Sequence, residues 1–238
     1  MISDQGATES LPPGQFELGY YPRFGLFQYA PYVDAPEPAL LLKLGGDVQN
    51  EISLDGAFLH SLPRVEQTCD INCVTSWSYR GLRWSGVRFK DFYEQIVLPK
   101  VRPAADVRYV VLRADDGYRT YFLLEDILAA DVLLADTLDG RPLDSDHGAP
   151  LRLVAPAHYA FRSTKHLTSI EFKRDLRGYH SPALHWQEHP RSRVAYEERG
   201  IWFPGWLYRY LYRPIVWPTI WNMRFFMWRA ARSRNSAK

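Results

Sequence analysis

An α+β domain is what this sequence predicts, and three observations predict it. Runs with strand character and runs with helical spacing are both short, and they alternate without the regular spacing of βαβ units. The chain has 17 prolines, which break helices and confine strands to edges and ends, so long helices are not expected in its body. Its 46% hydrophobic and 24% charged content belong to a soluble globular protein with enough apolar material for a sizeable core. At 238 residues it suits one large domain with an appendage.

The elements follow in order. Residues 1–15 read as a loose arm. Leu40 to Leu44 and Val48 to Leu54 read as strands joined by a turn at Gly45-Gly46-Asp47. Phe58 to Leu62 has the character of a short helix, stopped by Pro63. Arg64 to Cys73 is extended and delivers its cysteine to a loop. Val107 to Leu112 and Arg119 to Leu124 flank Asp116-Gly117, the signature of a hairpin turn. Leu124 to Ala130 carries helical spacing. Leu151 to Pro156 is a continuous apolar run, short enough for a buried strand, and Leu167 to Phe172 alternates like a strand. No internal repeat or low-complexity stretch is present.

Charge is unevenly placed. From Arg199 onward there are seven arginines, one lysine and no acidic residue, so this segment carries +8 of a net +2 and leaves −6 on residues 1–198. The chain thus divides into the arm (1–15), a domain (16–198) and a basic aromatic tail (199–238). Its two cysteines, Cys69 and Cys73, make no disulfide framework. Met1 to Ser10 is polar, without an apolar signal core or a twin-arginine pair, so a cytoplasmic protein is expected. No nucleic-acid partner is expected.

Three motifs carry chemistry. The first is Cys73-Val74-Thr75-Ser76-Trp77-Ser78, followed by Trp84-Ser85-Gly86-Val87. The second is His147-Gly148-Ala149-Pro150-Leu151-Arg152 leading into Leu153-Val154-Ala155-Pro156. The third is Arg162-Ser163-Thr164-Lys165-His166. In this order, with Pro22-Arg23-Phe24-Gly25 upstream, they resemble the sulfite oxidase family of molybdopterin oxidoreductases. The resemblance covers roughly residues 11–175, a whole domain. It implies the family's mixed-sheet fold around the cofactor, which spacing alone does not reveal.

The resemblance also implies roles. Cys73 is the metal's one protein ligand, a soft thiolate of the kind molybdenum selects. Arg152, Arg162 and Lys165 meet the cofactor's phosphate, with Ser163 adding a hydroxyl. His147 hydrogen-bonds the pterin or phosphate, Arg23 faces the cofactor, and Thr75 tunes the sulfur. His60 lies about where larger members place a cofactor-contacting histidine before the cysteine. For Cys69 a small buried hydrophobe is the expected role. Trp77 and Trp84 read as core aromatics.

The implied activity is oxygen-atom transfer to or from a small sulfite-like or sulfoxide-like oxo-substrate. Haem and dimerisation domains of larger relatives do not fit in this length, so an external electron donor or acceptor is implied. A sulfite site needs basic groups facing the metal, and Arg80, Arg83 and Arg88 are candidates by proximity to Cys73. The alternative is a non-catalytic cofactor-binding or partner-binding module recruited through its tail. His185-Trp186-Gln187-Glu188-His189 fits the H-x-x-E-H zinc pattern, but Pro182 and Pro190 leave little helix for it. In the tail, Trp217, Trp221, Phe225 and Trp228 recur at helical spacing among arginines, which suits a membrane surface or a redox partner but not a bilayer span. Because every cofactor motif precedes Ile170, the tail is expected to be dispensable for cofactor binding.

Overall fold

The computed structural model describes residues 10–30, 40–183 and 188–236. Strand β1 (Phe16–Glu17) precedes β2 (Leu41–Gly46) and β3 (Ile52–Asp55). The short helix α1 (Phe58–Ser61) then leads to a long antiparallel pair, β4 (Arg64–Asn72) and β5 (Trp77–Arg88). A single turn, α2 (Phe89–Phe92), runs into a π-helical segment, Tyr93–Val101. The hairpin β6 (Tyr109–Ala114) and β7 (Arg119–Leu123) is followed by α3 (Leu124–Ile127), β8 (Leu133–Leu138), β9 (Arg141–Pro142), β10 (Arg152–Val154) and β11 (Leu167–Lys173). Two helices, α4 (Gly205–Tyr212) and α5 (Val216–Ser236), come last.

The architecture is α+β with two mixed sheets. In the first, β5 pairs antiparallel with β4 and β8 and parallel with β1, while β8 also carries β10 and β9. The second has the order β3-β2-β11-β6-β7, with β11 parallel to β2 and antiparallel to β6. A strand from late in the sequence thereby completes a sheet begun by early ones.

Two expected strands shift or were missed. β3 starts at Ile52 and not Val48, because the Gln49 and Asn50 amides donate instead to the carbonyls of Arg102 and Val101, both at 3.0 Å. β5 gave no strand signal of its own: it contains Gly81, Gly86 and three arginines, and neighbours on both sides make it a strand. The core has two parts. One lies between the second sheet, α2 and the π-helical segment, around Phe89, Phe92, Ile170 and Phe172. The other surrounds Cys73, Trp77 and Trp84 and includes Val216 and Ile220 of α5.

The segment expected to be a separate tail therefore packs on the domain. Val216, Ile220 and Met223, one face of α5, are buried. Gly205 opens α4 directly against the Glu197 carbonyl, where any β-carbon would collide. Glu197 also pairs with Arg209 of α4. Among the described residues, no helix is long and apolar enough to cross a membrane.

Candidate cofactor site

Cys73 follows β4 and opens the turn into β5. The Ser76 amide donates to the Cys73 carbonyl at 3.0 Å, and the Cys73 amide donates to the Trp77 carbonyl at 2.8 Å. Ser76 adopts a left-handed conformation, φ 81°, which disfavours a residue with a side chain. Arg199 holds that conformation. It is wholly buried, and its Nη1 donates to the Val74 carbonyl at 2.6 Å and to Ser76 Oγ at 3.2 Å. Its Nη2 donates to the Pro13 carbonyl at 3.1 Å, and the Gln15 side-chain amide donates to the Cys73 carbonyl, also at 3.1 Å. The end of the expected loose arm and the start of the expected tail thus clasp one turn.

The Cys73 sulfur lies 3.2 Å from Thr75 Oγ1. Burial pushes the thiol pKa up, while the Thr75 hydrogen bond and the charge of Arg199 favour the thiolate. A metal bound here would take the thiolate and settle that balance. Cys69, on β4, is half-buried and outside the cavity described next, and burial pushes its thiol up to about 12.

Cys73 opens on a cavity of about 240 Å³. Thr75, Arg23, Arg152, Ser163 and Lys165 share its wall, so six of the nine residues implied by the motifs meet in one place. Lys165 projects its ammonium to the Asp146 carbonyl at 2.6 Å. Burial, with Arg152 and Arg23 nearby, lowers its pKa to about 7. Arg23 faces Asp146 at 3.7 Å. Ser163 Oγ accepts from the Ala155 amide at 3.1 Å. Gly148 passes so close to Lys165 that a β-carbon would sit 2.9 Å from Lys165 Cβ, and its φ of +106° suits glycine alone.

Arg152, at the start of β10, reaches the cavity wall but gives most of its donors to the protein. It bonds the carbonyls of His147 (2.8 Å), Ser163 (3.2 Å) and Leu153 (3.3 Å) and the Tyr21 hydroxyl (3.2 Å), and it stacks over Trp84. It thus holds the second and third motifs together. His147 lies just behind the wall, stacked on Tyr21 at 4.8 Å, with Nδ1 2.7 Å from Asp144 Oδ1. Burial and Lys165 lower its pKa, so the ring is neutral at pH 7. The carboxylate assigns the proton to Nδ1, leaving Nε2 as an acceptor, and Nε2 is buried without a protein partner.

Besides His147, which is not part of the wall, three expectations do not reach the cavity. Arg162 is fully buried and outside the wall, donating to the carbonyls of Tyr121, His189 and Pro190 and to Thr120 Oγ1 and pairing with Glu188 at 3.3 Å. It ties β7 to residues 188–190 and has no fork left for a phosphate. His60 is exposed on α1, against the other half of the core. Arg80, Arg83 and Arg88 lie along β5 and none lines the cavity; Arg80 faces Asp70 at 3.7 Å. Of the H-x-x-E-H pattern, His185, Trp186 and Gln187 lie outside the described residues, while Glu188 is engaged by Arg162 and Tyr179.

Sequence reasoning missed several residues. Arg199 carried no signal, being a lone arginine in a charged loop. Asp116 and Asp146 line the cavity, and burial raises the Asp116 pKa. Tyr212, Ile215, Thr219 and Met223 also line it, so the segment expected to stand apart from the cofactor site forms part of its wall. Their signal was legible as a second apolar stripe, Val216, Ile220 and Met223, beside the tryptophans.

A molybdopterin needs one soft sulfur donor for its metal, cations for its phosphate and hydrogen-bonding groups for its pterin. The Cys73 thiol, Lys165 with Arg23, and the unpartnered His147 Nε2 form such a set, and the residues present fit the group.

Known proteins agree. The oxidoreductase molybdopterin-binding domain model matches residues 31–179. The uncharacterized oxidoreductase YuiH of Bacillus subtilis is 36% identical over 153 residues, 61% of this chain and 75% of that one. The protein-methionine-sulfoxide reductase catalytic subunit MsrP of Xanthomonas axonopodis pv. citri is 30% identical over 148 residues, 55% of this chain and 44% of that one. A putative protein-methionine-sulfoxide reductase subunit, YedZ1 of Azospira oryzae, is 31% identical over 112 residues, 47% of this chain and 40% of its own. The chain therefore spans under half the length of these two sulfoxide-reductase relatives. The sulfane dehydrogenase SoxCD from Paracoccus pantotrophus shares the fold, with a TM-score of 0.52 and 16% identity over 60% of this chain and 40% of that one. The chain belongs to the oxidoreductase molybdopterin-binding domain family, and molybdopterin is its cofactor.

Proposed function

We propose that this chain catalyses oxygen-atom transfer with a small, uncharged, sulfoxide-like substrate, drawing on an external electron partner. Cys73 ligates the metal, Lys165 and Arg23 hold the phosphate, and His147 Nε2 accepts from the pterin. When bound, the cofactor supplies a two-electron metal centre able to exchange an oxygen atom, which is the hard chemistry. The protein's part is to place that centre and surround it.

The observation that carries the reading is the cavity wall beside Cys73. Phe24, Phe27, Phe161 and Met223 help give it a largely apolar lining; of its cations, Arg152 is spent on backbone carbonyls and Arg23 and Lys165 are the proposed phosphate ligands, and the β5 arginines expected for a sulfite anion are absent from it. An aromatic and aliphatic wall excludes water and suits a neutral substrate better than an anion, whose burial costs several kcal/mol unless it is paired. The sulfoxide-reductase relatives point the same way.

The test is to produce the protein in a host that makes molybdopterin, and to measure molybdenum, pterin and dye-linked turnover. Near-stoichiometric metal is expected. Reduction of a small methyl sulfoxide by a reduced viologen dye should exceed sulfite oxidation with ferricyanide by at least about tenfold, a difference of about 1.4 kcal/mol in the barrier. Protein without molybdenum and pterin sinks the cofactor assignment, and faster sulfite oxidation sinks the substrate class.

A further inference from the structure

The outer face of the last two helices is unusual. Among the described residues, eleven of the sixteen large hydrophobics that stay exposed fall within residues 201–228. They include Trp202 (65% exposed), Trp206 (55%), Trp217 (60%), Trp221 (70%) and Trp228 (54%). A contiguous apolar surface of this kind marks an interaction site. Helix α5 is apolar on two sides. Val216, Ile220 and Met223 face the domain, and Trp217, Trp221 and Trp228 lie about 100° further round, facing outward with Phe225. Exposed arginines, Arg213, Arg224, Arg229 and Arg232, are interspersed, and no acidic residue follows Glu198.

We infer that this face docks the protein on the surface of an anionic lipid bilayer. Tryptophan suits the headgroup level, where its ring is half in hydrocarbon and its N–H is wet. The arginines find phosphates there without needing matched partners, and the −6 body turns away from the same charge. A protein partner would have to supply a groove for two convex helices and carboxylates for each arginine, and nothing in the face marks such paired, directional contacts. Since no described helix can cross a bilayer, α4 and α5 lie along it. Their inner faces contribute Tyr212, Thr219 and Met223 to the cofactor cavity, so lipid and cavity are separated by roughly one helix diameter, ~10 Å.

The test is flotation of the full-length protein with phosphatidylcholine vesicles, with and without about one third phosphatidylglycerol, while following tryptophan fluorescence. Five of the eight tryptophans belong to this face, so insertion should give a blue shift. Binding to the anionic vesicles should exceed binding to the neutral ones by more than tenfold. R213Q/R224Q/R229Q should weaken it on the order of a hundredfold, about fivefold per arginine. W217S/W221S/W228S should abolish the blue shift. Both triple variants should keep wild-type molybdenum content, which shows that they fold and separates this inference from the cofactor reading. Binding to neither vesicle, equal binding to both, or tryptophan-dependent self-association in place of lipid binding would overturn it.

Discussion

Replacing Lys165 by methionine should move two measurable quantities in opposite directions. In the cofactor-free protein the ammonium is a cost. Its pKa falls from 10.5 in the open chain to about 7 in the folded one, so below pH 7 the folded state holds a charge it disfavours. A shift of that size has a ceiling of about 5 kcal/mol at 1.36 kcal/mol per unit. Lys165 is partly accessible through the cavity and bonded to the Asp146 carbonyl, so about 1–3 kcal/mol is the reasonable gain on removing the charge. For a chain of this size that is an increase in Tm of about 3–10 °C at pH 6–7. The sign follows from proton counts. Between pH 7 and 10.5 the unfolded lysine binds more protons than the folded one, so wild-type stability rises through this window and the variant loses that rise. With cofactor present the order reverses. A phosphate restores the charge on Lys165, and losing a charge-assisted contact costs about 1.5–3 kcal/mol of affinity. Cofactor content of Lys165→Met, made in a molybdopterin-competent host, should therefore fall. Scanning calorimetry of cofactor-free protein and pterin assay of loaded protein check both halves. A variant that melts lower without cofactor yet keeps full pterin would refute the reasoning.

Other expectations concern the cysteines, the clasp and a histidine. Cys73→Ser should keep much of its pterin but lose turnover and the sulfur-to-metal absorption band, while Cys69→Ser keeps both; the reverse pattern would move the ligand. Arg199→Ala leaves the Val74 and Pro13 carbonyls and the Ser76 hydroxyl without a donor and should cost about 3–5 kcal/mol, visible as a lower urea midpoint. Arg199→Lys should recover part of the charge effect on Cys73 but not the fork. His166 is buried with its pKa lowered to about 4, chiefly by burial. Its contribution is complete above about pH 6.5 and lost as pH falls toward 4, with a ceiling of about 3 kcal/mol, and His166→Gln should flatten the stability curve in that window.

Local chemistry made much of this molecule legible. Asp116-Gly117 announced its hairpin, Pro63 ended its helix, and the apolar run at Leu151 gave a buried strand because such runs need cover on both faces. Cys73, Arg152 and Lys165, one from each motif, line one cavity. What stayed hidden depends on distant partners. β5 is a strand because β4 and β8 flank it. Arg152, Arg162 and Arg199 are all buried, against the surface habit of arginine, because each finds carbonyls contributed by other segments. A pattern that flags Arg162 as basic cannot show that Tyr121, His189 and Pro190 already occupy it.

The clasp on the Cys73 turn also sets an order of events during synthesis. The arginine that fixes the turn lies 123 residues after Ser76, and β11, which completes the second sheet, lies about as far after β2. At roughly 5–20 residues per second, the ribosome exposes the unfinished cysteine turn for several seconds to tens of seconds before Arg199 emerges. A cofactor arriving in that interval would meet a thiol on a floppy loop in a half-built sheet. The Cys73 turn reaches its final, clasped form only when Arg199 has joined it.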